Sequence, residues 1–308
     1  MAKPKIALIQ GGLGAEREVS LSTGAGFKQA LVELGYEFTE VDAKEDLPAK
    51  LMKLKPDVAL LALHGKFGED GTVQGICEYL KIPYTGSGVL SSSLCMDKIL
   101  SKQILISQAL PTPNYEFLNA RETNLDNYKI RMEYPVVVKP SREGSSVGIS
   151  IVKEESELVP ALKLAAKSDY QILIEEFIEG KEITVPILGD KALTPIEIEP
   201  KEDFYNYENK YTEGKTEYHL PARVSDEVLE EAKKISLAAF DFLRMRGYGR
   251  IDFRLSPMNK LYIMEANSLP GCTPTSLIPK SALHMGISFN ELIETLIKDA
   301  NLDYAGVD

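Results

Sequence analysis

The chain has no tryptophan, three histidines and three cysteines in 308 residues. Cys77, Cys95 and Cys272 are odd in number and lack the short spacings that hold a metal. This excludes a disulfide framework or a cysteine-ligated zinc site, and we expect free thiols in a reducing compartment. Basic residues are the minority, 35 against 46 acidic, giving a formal net charge of −11. A nucleic-acid or membrane-surface partner would want a basic face, so neither is expected. No apolar run is long enough to span a membrane, and the one at Ile6–Ile9 is too short for a signal peptide, so we expect a cytoplasmic protein. What is present is ordinary for a globular chain: 44% hydrophobic and 26% charged residues, enough for two or three lobes. An acidic protein that binds phosphates must concentrate its lysines locally.

The most informative stretch is Gly249–Leu255 with its return, Leu261–Asn267. Both runs alternate at period two, and Ser256-Pro257-Met258-Asn259-Lys260 between them is turn chemistry, which predicts an antiparallel hairpin. A four-residue loop at 257–260 would pair Leu255 with Tyr262, Phe253 with Met264 and Ile251 with Ala266, all on one apolar face. The other face would set Asp252 opposite Glu265 and Arg250 opposite Asn267. Like charges opposite each other on a sheet repel, so the two carboxylates call for a cation. Oxygen ligands of this kind suit Mg²⁺ or Mn²⁺. Removing either charge would then relieve the repulsion and stabilise the metal-free fold. The plain alternative is a solvated hairpin whose acids never meet.

Upstream, Lys5–Gln10 is a buried-strand pattern that runs into Gly11-Gly12-Leu13-Gly14-Ala15-Glu16, and Leu21–Leu34 reads as a helix closed by Gly35. With strands at 36–41 and 57–63 this is the opening of a doubly wound unit. The glycines alone are a weak signal, because they do not follow Gly-x-Gly-x-x-Gly. His64 ends the third strand, where open α/β sheets bind ligands, and this position favours a functional role over the structural loop histidine that is the commoner fate of a lone His. Helix Lys98–Ala109 is broken by Pro111-Thr112-Pro113. Strand Tyr134–Pro140 carries Lys139 into the loop Ser141–Gly148, whose free backbone N–H groups could fold over phosphates, without the Gly-Lys-Ser/Thr ending of a P-loop. Glu175–Glu182 suits a purine nucleoside or, equally, an acidic solvated turn. The aromatic, polar loop 203–215 is of the kind that closes over a site. Val224–Met245 reads as an amphipathic helix backing the hairpin.

Together, Glu16–Ser20, His64-Gly65 with Gly68–Gly71, Tyr84–Gly88, Met96–Lys98, Lys139–Gly148, Lys210-Tyr211, Gly249–Asp252 and Glu265–Asn267 resemble the D-alanine–D-alanine ligases over essentially the whole chain. That resemblance implies a three-lobed α/β protein of the ATP-grasp fold: a doubly wound, substrate-binding lobe at 1–97, a central lobe at 98–182 and a catalytic lobe at 183–308. It implies ATP as co-substrate, two Mg²⁺ or Mn²⁺ ions on Asp252, Glu265 and Asn267, and a homodimer. Lys98, Lys139 and the backbone of Ser146 would meet the phosphates, and Glu175, Glu176, Phe177, Ile178 and Glu182 the nucleoside. Arg250 and the N–H of Gly271 would face the oxyanion. Glu16 would take the first amine with His64 nearby, and Glu16, Ser145 and Tyr211 would latch the lid. Lys210, Ser276 and Leu277 would take the second substrate's carboxylate.

Three residues depart from the family pattern: Gly14 for a usual serine, Thr275 for a common histidine, and Cys272 for a usual methionine. The first two put substrate affinity in question and the third is a packing change. D-lactate or D-serine as second substrate is one rival. A catalytically idle nucleotide-binding module is another, and it would require the loss of a metal ligand or of Arg250, neither of which is lost.

Overall fold

The computed structural model describes residues 3–144, 147–200 and 216–304. The chain opens with strand β1 (Ile6–Gln10), helix α1 (Arg17–Leu34), β2 (Phe38–Asp42), α2 (Leu47–Leu54) and β3 (Val58–Leu61). These strands form a parallel sheet in the order β2-β1-β3. Ile6–Ile9 and Leu60–Leu61 are completely buried, as expected of strands covered on both faces. Gly35 caps α1 in the left-handed conformation, its N–H on the Val32 carbonyl at 3.1 Å. The helix begins four residues earlier than its apolar period suggests, so Glu16 sits at its N-terminus rather than in the preceding loop.

Three helices follow, α3 (Thr72–Tyr79), α4 (Val89–Met96) and α5 (Lys98–Ser107). The central lobe holds β4 (Tyr115–Asn119), β5 (Val136–Pro140), β6 (Ser150–Val152), α6 (Glu155–Ala165) and β7 (Gln171–Glu176), an antiparallel sheet in the order β4-β7-β5-β6. Helix α6 lays Leu158, Ala161, Leu162 and Ala165 on this sheet at helical spacing. The last sheet is built from β8 (Lys181–Leu188), β9 (Lys191–Ala192), β10 (Ile196–Pro200), β11 (Thr216–His219), and, after α7 (Asp226–Phe242), β12 (Tyr248–Leu255) and β13 (Leu261–Asn267). Its order is β11-β10-β8-β12-β13, with β9 on β8, and α7 backs it. Helices α8 (Leu277–His284) and α9 (Phe289–Lys298) then return to the first lobe. Ile278, Ala282, Leu292, Ile293, Leu296 and Ile297 complete the core around β1 and β3.

The hairpin differs from the sequence expectation at its loop end. Arg250 pairs with Asn267, Ile251 with Ala266 and Asp252 with Glu265, as expected, but a β-bulge follows Asp252. Phe253 therefore faces Ile263 and Leu255 faces Leu261, not Met264 and Tyr262. The extra residue lets Leu261, Ile263 and Ala266 all reach the core although they are spaced two and then three apart.

Candidate active site

A cleft of about 580 Å³ lies where the N-terminus of α1, the start of α5, the hairpin and the 268–277 turn converge. Nine sequence-predicted residues line it: Glu16, His64, Lys98, Arg250, Glu265, Asn267, Gly271, Ser276 and Leu277.

On the first-lobe side, Arg17 grips Asp42 through two hydrogen bonds of 2.9 and 2.6 Å, which fixes the start of α1 against the end of β2. The hydrogen bonds from Arg17 hold the Asp42 carboxyl well below the usual carboxylate range. The neighbouring Glu16 carboxylate lies against Gly65 and Gly144. A Cβ on Gly65 would collide with it, and Gly65 also has φ +66°, so both space and backbone favour glycine there. His64 is buried, with Nε2 2.9 Å from Thr23 Oγ1 and Nδ1 3.2 Å from Glu69 Oε1. Both ring nitrogens are therefore engaged within this lobe.

Lys98 opens α5, whose N-terminus is capped by Asp97 accepting from the N–H groups of Ile99 (3.1 Å) and Leu100 (3.2 Å). The same Asp97 oxygen accepts from Ser141 Oγ at 2.8 Å. Lys98 Nζ donates to the Glu143 carbonyl at 2.8 Å and lies 3.3 Å from Glu265 Oε2. Helix start, phosphate-type loop and hairpin are thus tied through one lysine.

On the hairpin, Arg250 and Asp252 sit two residues apart on one face and make a bidentate pair, 2.8 and 2.8 Å. Thr184 Oγ1, opposite Asp252 on β8, donates to it at 2.5 Å, and Asn267 Nδ2 donates at 2.9 Å. The carboxylate repulsion expected from the hairpin alone is therefore offset within the chain, by Arg250 on Asp252 and by Lys98 on Glu265. Past the hairpin, Ser276 stands at the N-cap position of α8, its hydroxyl engaged with Thr273 (Oγ to Oγ1, 2.8 Å) rather than with the helix N–H groups. The first-turn N–H groups of α8, beginning at Leu277, point out of a helix N-terminus at the cleft edge.

The residues predicted for a nucleoside and for one phosphate contact lie apart from that cleft, on β5, β7 and the turn into β8. Glu175 is completely buried between Lys139 (2.5 Å) and Lys102 (2.9 Å). Burial pushes its carboxyl up, but the two lysines outweigh this and hold it below its ordinary value. Glu176 accepts from Asn114 Nδ2 at 3.0 Å, and the Phe177 N–H donates to Pro135 O at 3.2 Å. Arg254 clamps the turn, donating to the carbonyls of Ile178 (3.1 Å) and Gly180 (2.7 Å), with Glu182 Oε2 3.9 Å away. Ser145, Ser146, Lys210 and Tyr211 lie outside the described residues.

Sequence reasoning missed Thr23, Glu69, Glu143, Thr184, Lys102 and Arg254. Glu69 and Glu143 stood inside the motifs Gly68–Gly71 and Lys139–Gly148 without a role of their own, and Thr184 stood out as a polar residue inside the apolar run Ile183–Leu188. Thr23, Lys102 and Arg254 are identified only by what they touch.

Two solved D-alanine–D-alanine ligase structures from Bacillus anthracis share this architecture. One, complexed with ATP, is 36% identical with a TM-score of 0.84, covering 96% of this chain and 97% of that one. The other is 39% identical with a TM-score of 0.86 at 97% coverage of each. The molecule is an ATP-grasp protein with an N-terminal doubly wound lobe. Family models for the D-ala D-ala ligase N-terminus and C-terminus match residues 37–87 and 104–298. D-alanine–D-alanine ligases of Syntrophotalea carbinolica and Pelobacter propionicus are 45% and 47% identical to it, over 98% and 97% of this chain and 98% and 96% of their own. The chain belongs to the D-alanine–D-alanine ligase family.

Proposed function

We propose that the cleft joins two D-alanines to D-alanyl-D-alanine at the expense of ATP, for peptidoglycan precursor synthesis. The first D-alanine's carboxylate attacks the γ-phosphate, giving an acyl phosphate and ADP. The second amine then attacks the acyl carbon and releases phosphate. The observation that supports this function most directly is that one 580 Å³ cleft gathers Glu16, assigned to the first amine, Arg250 and Gly271, assigned to the oxyanion, and the helix start Ser276-Leu277, assigned to the second carboxylate. Glu16 binds the first amine, with Thr23, His64 and Glu69 lining the same cleft. Arg250 is aimed by Asp252, and Lys98 stands between the Glu143 carbonyl and Glu265, where it can meet a phosphate.

Asp252, Glu265 and Asn267 form an all-oxygen donor set on one face of the hairpin, which fits Mg²⁺ or Mn²⁺. Asn267 spends its Nδ2 on Asp252, so its carbonyl oxygen is the atom that would take a metal. Two such ions, held by Asp252, Glu265 and Asn267, would supply positive charge that neutralises the phosphates during phosphoryl transfer. Lys139, Glu175, Glu176, Phe177, Ile178 and Glu182 make the ATP site, and the roles expected of Ser145, Ser146, Lys210 and Tyr211 fall on residues outside those described. We divide the chain at 97/98 and 182/183 and assign a cytoplasmic homodimer; no described helix is long and apolar enough to cross a membrane.

The test is ADP release with D-alanine, L-alanine, D-serine and D-lactate offered in turn, followed by product analysis with equal D-alanine and D-lactate. D-alanyl-D-alanine should dominate. A dominant depsipeptide at pH 7.5 would refute the substrate assignment, and no ADP release with any of the four would refute the ligase.

A further inference from the structure

Lys102 belongs to no role described above, yet its side chain is only 1% exposed. Its Nζ donates to Thr112 Oγ1, and that hydroxyl donates onward to the Ile263 carbonyl at 3.0 Å. Ile263 N–H in turn donates to the Pro111 carbonyl at 2.8 Å, so the 111–112 segment runs against β13. Lys102 is thereby held from the hairpin sheet while its charge lies 2.9 Å from Glu175, on the central sheet. The charged groups acting on it are Glu175 and Lys139. Among the described residues one carboxylate thus serves two ammonium groups, an excess of one positive charge in a buried place. An uncompensated buried cation is costly, and its retention calls for an anion that completes it. Lys139 is the member at the mouth of the 141–148 loop, at the end of β5.

We propose that Lys102 is a positioning residue of the nucleotide site. By taking a share of the Glu175 carboxylate, it leaves Lys139 with positive charge uncommitted and available to the phosphates of ATP. Without Lys102, Lys139 and Glu175 form a neutral pair and the pocket loses its pull on an anion. This rests on the ATP site assigned above, but concerns only the nucleotide's charge.

The test compares ATP with adenosine, which lacks phosphate, in calorimetric titrations of the whole protein without divalent cations. Lys102→Met should weaken ATP by roughly tenfold or more, the effect of one charge removed at short range in a medium of effective dielectric about 20. Adenosine affinity should change by less than about threefold, because it presents no charge to the cluster. Lys102→Arg keeps the positive charge beside Glu175 and alters none of the residues assigned to the ATP site. It should bind ATP within about threefold of wild type. Parallel loss of ATP and adenosine in Lys102→Met, unchanged ATP binding in that variant, or a tenfold ATP loss in Lys102→Arg would each overturn the proposal. Failure of the wild type to bind ATP would instead refute the ATP site itself.

Discussion

Asp252→Asn separates two views of the hairpin. If the facing carboxylates repel without compensation, removing a charge stabilises the metal-free protein. The geometry predicts the reverse. Asp252 is 8% exposed and accepts four hydrogen bonds, two from Arg250 and one each from Thr184 and Asn267. Breaking a buried ion pair by removing one partner costs about 3–5 kcal/mol. Asparagine keeps the volume and one acceptor, so we take a loss of about 2–4 kcal/mol. Glu265→Gln should behave differently. Its side chain is 31% exposed and its partner Lys98 is 3.3 Å away, a pair worth about 0–1 kcal/mol. Both substitutions should lower turnover by orders of magnitude through the metal set. The assay is urea unfolding in excess chelator without nucleotide, followed by circular dichroism because the chain has no tryptophan. Equal stability losses in the two variants, or an Asp252→Asn protein as stable as wild type, would refute the reasoning.

Glu197 gives a pH prediction. Burial pushes its carboxyl up, but hydrogen bonds from Arg223 and Lys181 outweigh this and bring it down to about 2 from 4.5. A depressed folded value contributes stability above the unfolded one, lost as pH falls from about 4.5 towards 2. The stability gap between wild type and Glu197→Gln should therefore be widest near neutral pH and close with acid; a gap constant from pH 7 to pH 3 contradicts it. Arg254→Met should loosen the 178–180 turn and raise the KM for ATP by roughly three- to tenfold with kcat nearly unchanged, since two backbone carbonyls lose a charged donor. Steady-state kinetics showing a fall in kcat alone would contradict that. Cys77, Cys95 and Cys272 are buried, and burial pushes each thiol up to about 12. Cys95 lines the cleft, so the clean test is at the other two: a disulfide-exchange reagent should label Cys77 and Cys272 slowly at pH 7.5 and all three thiols after denaturation; rapid native labelling of Cys77 or Cys272 would contradict their burial.

Local chemistry made much of the molecule legible without coordinates. The period-two alternation of Gly249–Leu255 and Leu261–Asn267 set Asp252 opposite Glu265 and Arg250 opposite Asn267, because strand sidedness is fixed by parity near the paired end. The run Ile6–Ile9 announced a buried parallel strand, and Gly35 announced the end of α1. The motifs around Glu16, His64 and Lys98 marked a site because they fall at strand ends and helix starts, where backbone donors are free. What parity could not reveal was the bulge after Asp252, since an added residue changes the register without changing composition.

Only the tertiary structure decided who neutralises whom. Asp252 could have met a solvent cation, Lys98 or Arg250, and the choice of Arg250 is made by two side chains on one strand face with Thr184 supplied from a strand some 68 residues earlier. Lys102 looked like any helix lysine. It becomes a buried partner of Glu175 only because α5 packs where the central and hairpin sheets meet. The return of α8 and α9 to the first lobe is likewise invisible in their own amphipathic pattern, which fixes that a face is buried but not against what. Sequence periodicity determines local conformation and sidedness; the pairing of charges and faces distant in sequence is set by packing, which no local pattern encodes.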